Sequence, residues 1–64
     1  MDIEVIRVLA SKDRNQTYRI VTASGQQIYG TISVQPDGQT VFVGDDIAGA
    51  TYVDAAKIES IAKT

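Results

Sequence analysis

The chain predicts an all-β fold, a small barrel of five to six antiparallel strands with a short 3-10 turn near Asp54-Lys57, on three observations. Residues Gln27 to Gln35 alternate with period two, placing Ile28, Gly30, Ile32 and Val34 on one side and Gln27, Tyr29, Thr31 and Ser33 on the other, the pattern of a strand with one face on a core. Gly30 interrupts the inward face; an interior strand glycine marks a bulge, a sharp bend or the close approach of another backbone. A bend is expected in a chain this short, because one long strand then serves both sheets of a small barrel. Turn chemistry recurs at short intervals, at Ala23-Ser24-Gly25-Gln26, Pro36-Asp37-Gly38 and Gly44-Asp45-Asp46, where glycine accepts positive φ, proline presets φ and aspartate bonds its own backbone.

The remaining elements follow in chain order. Ile3-Glu4-Val5-Ile6-Arg7-Val8-Leu9-Ala10-Ser11-Lys12 is rich in β-branched residues and apolar on both alternating faces, which favours a strand. A helix is the competing reading, since Val5, Val8 and Leu9 also fall at helical spacing. As a strand, its second apolar face needs cover, from the sheet curling over it or from another chain. Asp13-Arg14-Asn15-Gln16 is a polar connector, and Thr17-Tyr18-Arg19-Ile20-Val21-Thr22 then closes a hairpin with the first segment. Thr40-Val41-Phe42-Val43 returns from the Pro36-Asp37-Gly38 turn, Ile47-Ala48-Gly49 forms a loop, and Ala50-Thr51-Tyr52-Val53 is a further short strand. The tail after Asp54 reads two ways: a helix capped by Asp54 with Ile58, Ile61 and Ala62 on one face, or a 3-10 turn followed by a closing strand carrying Ile58 and Ile61.

Length and composition bound the function classes. Sixty-four residues form one small domain (residues 1-64), and a chain of about 60 residues buries only about 60% of its unfolded surface. Cysteine and histidine are both absent, which removes disulfides, thiolate metal sites, the commonest zinc ligand and the usual general base. Oligomerisation is the common supplement that remains for so small a core. No apolar run reaches the ~20 residues of a membrane span, and Met1-Asp2-Ile3-Glu4 has no signal-like segment, so a cytoplasmic protein without a membrane partner is expected. Asn15-Gln16-Thr17 fits a glycosylation acceptor by pattern but reads as a polar turn. The net charge of -2 and pI near 4.7 disfavour nucleic acid, for which basic patches are usual. Charge is uneven, however: Arg7, Lys12, Arg14 and Arg19 lie in the first half, against Asp37, Asp45, Asp46, Asp54 and Glu59 in the second.

Two segments resemble the Sm-like, SH3-like small-barrel family across Thr17 to Ile61. Val21-Thr22-Ala23-Ser24-Gly25-Gln26-Gln27-Ile28-Tyr29-Gly30-Thr31-Ile32 resembles the first Sm motif, with its turn glycine and bent-strand glycine; Val53-Asp54-Ala55-Ala56-Lys57-Ile58 is similar to the second. The resemblance implies a small barrel whose edge strands pair between subunits. RNA-binding members carry an arginine-glycine pair where this chain has Asp54-Ala55, and an Asp-x-x-x-Asn arrangement where it has Asp37 and then Thr40-Val41.

Candidate contacts are therefore few. Arg7, Lys12, Arg14 and Arg19 would form a phosphate-tracking strip if the first hairpin brings them to one face, or keep a strand edge soluble. Tyr18, Tyr29 and Tyr52 offer stacking platforms for bases or half-buried cross-strand packing. Asp45-Asp46 with Asp37 offers oxygens for a hard cation but lacks the spacing of a calcium loop. Gly25, Gly30, Asp37 and Gly38 are assigned to turns and the bend. No serine has a histidine to activate it, no phosphate-loop glycine pattern is present, and no catalytic, metal or cofactor site is expected. The leading expectation is a non-enzymatic module that forms a homo-oligomer through strand edges, with a protein partner unspecified; the alternative is a single-stranded nucleic-acid-binding protein of the Sm-like type.

Overall fold

The structure, a computed structural model, describes residues 1-45 and 49-64. Helix α1 (Ile3-Lys12) precedes strands β1 (Tyr18-Thr22), β2 (Gln27-Val34), β3 (Thr40-Asp45) and β4 (Gly49-Asp54), a 3-10 turn (Ala55-Lys57) and β5 (Ile58-Lys63). The strands form one antiparallel sheet in the order β4-β3-β2-β1-β5. The sheet is not closed, so β4 and β5 are its two edges.

The first segment is a helix, which corrects the strand expectation and removes the hairpin with the residues that follow. Asp2 caps it, its Oδ1 accepting the Glu4 N-H at 2.9 Å. Ile6 is fully buried and Ile3, Leu9 and Ala10 pack against the core, whereas Val5 and Val8 face out. β-Branched residues lower helix propensity by only a few tenths of a kcal/mol each, roughly, and burying one isoleucine returns about 1.5-3 kcal/mol. The helix thus supplies the cover that a one-sided sheet lacks. Asp13-Gln16 becomes a helix-to-strand turn, with the Asn15 N-H donating to Asp13 Oδ1 at 3.0 Å.

Inward residues alternate along the sheet: Tyr18, Ile20 and Thr22 of β1, Ile28 and Ile32 of β2, Val41 and Val43 of β3, and Ile58 of β5 are buried. Strand β2 divides its partners. Gln27-Gly30 pairs with β1, and Thr31-Val34 pairs with β3. The changeover falls at Gly30, where the bend was expected, and a second reason for glycine appears there: a Cβ on Gly30 would run into the Gly44 carbonyl oxygen and stand 2.8 Å from its carbon. The change of strand partner and the close backbone approach coincide.

The Ala23-Gln26 and Pro36-Gly38 turns form as their chemistry predicts, whereas Gly44 and Asp45 of the third expected turn belong to a strand. Gly25 (φ 86°) and Gly38 (φ 71°) occupy the left-handed region, and the Gly25 and Gly38 N-H groups close their turns onto Thr22 and Gln35 carbonyls at 2.9 and 3.0 Å. Strand β3 runs two residues further than expected, through Gly44 and Asp45. The expected Ile47-Ala48-Gly49 loop lies outside the described residues except for Gly49, which opens β4 with φ 84°.

The tail takes the turn-plus-strand form. Asp54 Oδ1 accepts the Ala56 N-H at 2.9 Å, capping the 3-10 turn, and β5 pairs with β1 from Ile58 to Lys63, with an irregularity between Val21 and Thr22. A lone helix of this length is marginal, while the open side of β1 offers a ladder of backbone partners. The Met1 ammonium donates to the Ala55 and Ile58 carbonyls, both at 2.9 Å, fastening the start of α1 to this turn.

Candidate functional site

Two features can meet a partner: the open strand edges, and a basic, aromatic outer face between α1 and the sheet. The edges follow from the sheet order. Each edge strand is six residues long, and β4, Gly-Ala-Thr-Tyr-Val-Asp, contains neither proline nor a basic side chain. A strand edge offers a row of N-H and C=O groups that another strand can pair with.

The outer face is built by alternation. Residues opposite the core on β1 and β2 bring Arg19 beside Tyr29 in register, and Ser33, Phe42 and Tyr52 lie in one row across β2, β3 and β4. Phe42 and Tyr52 meet edge to face, ring centroids 5.4 Å apart. Tyr52 is 62% exposed and Tyr29 49%. Beside this row, Arg7, Ser11 and Arg14 from the α1 side and Thr31, Ser33 and Phe42 from the sheet line a groove of about 400 Å³ whose wall, among the described residues, holds no carboxylate. Glu4 stands 3.5 Å from Arg7 Nε on the exposed helix surface. Two guanidiniums and the Thr31 and Ser33 hydroxyls line this groove beside the Phe42 ring, while the Ser11 hydroxyl already donates to the Val8 carbonyl at 2.9 Å.

The structure therefore divides the expected basic strip. Arg7 and Arg14 share the groove; Arg19 sits on the outer face of β1 beside Tyr29. Lys12 is elsewhere, lining a separate hollow with Leu9, Tyr18, Ile61 and Lys63. The strip was expected on a hairpin, and a helix turns successive residues by about 100° rather than alternating them. Among the tyrosines, Tyr18 is not a platform: it is 6% exposed, with its hydroxyl donating to the Leu9 carbonyl at 3.4 Å. Phe42, Thr31, Ser33 and Ser11 were not singled out by sequence. Phe42 carried a signal, since it alternates out of phase with Val41 and Val43.

Asp37 belongs to the turn. Its carboxylate accepts the Gln39 and Thr40 N-H groups at 2.9 and 2.8 Å and the Thr40 hydroxyl at 2.6 Å. The Thr40 hydroxyl first, then these two amides, hold its pKa below the ordinary 3.8. A carboxyl whose folded pKa is depressed stabilises the fold above its unfolded pKa, and that contribution is lost as pH falls through the folded value. Asp37→Asn is accordingly expected to lower the melting temperature at neutral pH; the gap should begin to close as pH falls through about 4, the unfolded aspartate value, and vanish only below the lower folded value. Parallel melting curves at all pH values would contradict this. Asp45 ends β3, and Asp46 lies outside the described residues.

Comparison with known proteins finds no matching family model, no matching curated protein and no matching solved structure. Among the described residues, no helix is long and apolar enough to cross a membrane.

Proposed function

We propose that this chain is a non-enzymatic interaction module, a small SH3-like (Sm-like) barrel that self-associates into a homo-oligomer through its strand edges. The observation that carries this reading is the sheet order β4-β3-β2-β1-β5, which leaves β4 and β5 as edges of equal length. Pairing β4 of one copy with β5 of the next joins two different surfaces, and such head-to-tail contacts close into rings when the rotation permits. It would also extend a core that sixty-four residues leave small. The test combines sedimentation equilibrium across the micromolar range with amide hydrogen exchange. Mass above the monomer, with β4 and β5 amides protected only where that mass appears, is expected; a stable monomer with both edges exchanging freely would overturn the reading.

A second reading, binding of single-stranded nucleic acid by the outer face, is favoured by the Arg7-Arg14 groove and the Arg19-Tyr29 pair. It is tested in the same sedimentation runs with a mixed-sequence oligonucleotide. Co-sedimentation should weaken with a log-log salt slope of about -0.7 per phosphate contacted, and its absence at low salt would retire the nucleic-acid reading while leaving the first intact.

A further inference from the structure

We infer that the exposed face of α1 is a second self-association surface, distinct from the strand edges, on which Val5 and Val8, with the partly buried Leu9 at their margin, pack against the same face of another copy lying antiparallel. Val5 and Val8 are 50% and 53% exposed, and they sit one turn apart on the side of the helix away from the fully buried Ile6. With Glu4 and Leu9 they line a shallow hollow of about 310 Å³. Lys12 continues the row two turns after Val5.

Charge along this row identifies the occupant. Glu4 lies at its N-terminal end and Lys12 at its C-terminal end, with an uncharged apolar middle. A second copy placed antiparallel sets Glu4 of each helix against Lys12 of the other, twice, and opposes the two helix dipoles. A parallel copy would set like against like. A face that complements itself under a two-fold axis is the signature of an isologous contact. The Glu4-Arg7 contact does not prevent this, because both side chains are more than half exposed and such pairs hold weakly.

The stripe is narrow, so the contact is weak between isolated chains and gains from any second linkage between the same copies. Its consequence differs from that of the strand edges. Where the edges do not pair, the helix contact gives a dimer; where they do, it doubles the edge-built assembly.

Sedimentation equilibrium on Lys12→Glu, Glu4→Lys and their equimolar mixture provides the test. Each single variant places like charges at both ends of the pair and is expected to weaken the helix contact by about tenfold or more. The mixture restores both attractions, Glu against Lys at each end, and should recover the wild-type mass without relying on a doubly altered helix. Val8→Asp should abolish the contact while the circular dichroism of the chain is retained. The inference is overturned if the single variants sediment as wild type does, if the mixture stays as dissociated as its components, or if Val8→Asp leaves the mass unchanged. Loss of the edge contact alone would appear as a protein that stops at the dimer, so the two associations fail separately.

Discussion

Gly30→Ala is expected to remove about 2-3 kcal/mol of stability and lower the melting temperature by about 10-20 °C, because it forces extra volume into a packed site in a chain of this size. The added methyl would collide with the Gly44 carbonyl and lie 3.2 Å from Val43 Cγ1. Neither neighbour can yield cheaply: Gly44 is backbone of β3 paired with Thr31, and Val43 is fully buried. A domain of this length holds only about 3-10 kcal/mol in total, so the variant is expected to sit near the edge of folding. Gly25→Ala is the comparison, since its added methyl meets nothing within 4 Å and only the left-handed φ of 86° opposes it, roughly 1-2 kcal/mol. Thermal and urea unfolding followed by circular dichroism decide the matter. A Gly30→Ala protein more stable than Gly25→Ala would mean that β2 and β3 do not approach as described.

Ile6→Ala is expected to cost about 2-5 kcal/mol, the usual range for truncating a fully buried isoleucine. Val8→Ala, at a half-exposed position, should change stability by roughly 0.5 kcal/mol or less when measured below the concentration of any association. The contrast is diagnostic of the element. Residues 6 and 8 share a face on a strand and would be affected alike, whereas on a helix they lie about 200° apart. Equal losses at the two positions would restore the strand reading for the first segment. Ile20→Ala, another fully buried position, serves as the core standard.

The parts of this fold that sequence reveals are those whose signals are local and agree with each other. Gln27 to Val34 alternates cleanly and becomes β2; the Gly25 and Gly38 turns need positive φ, and only glycine supplies it without strain. Asp54 can cap either a helix or a 3-10 turn, and its local chemistry does not choose between them. The choice falls to β1, which has an unfilled side and takes Ile58-Lys63 as a strand. The first segment is ambiguous for a related reason: its apolar residues satisfy both periods, and β propensity points to the pairing that does not form. Burial of Ile6, Ile3, Leu9 and Ala10 against the sheet outweighs those small preferences.

The candidate site was less legible than the fold. Arg7 and Arg14 were visible as basic residues, yet their meeting in one groove depends on α1 being helical and on where it packs against β2. Phe42 entered the site only through register, which places it between Ser33 and Tyr52. The split of the basic residues, with Lys12 turned away, has the same origin.

By itself the sequence determined what is short-range: the alternating strand, the glycine turns, the absence of thiol and imidazole chemistry, and the Asp54 side chain available as a cap. Tertiary structure alone decided which elements the two chain ends became and which side chains share a groove. The physical reason is that propensities differ by tenths of a kcal/mol per residue, roughly, whereas burying one isoleucine or completing a strand ladder is worth whole kilocalories. Stabilisation of that size arises only once distant segments have met.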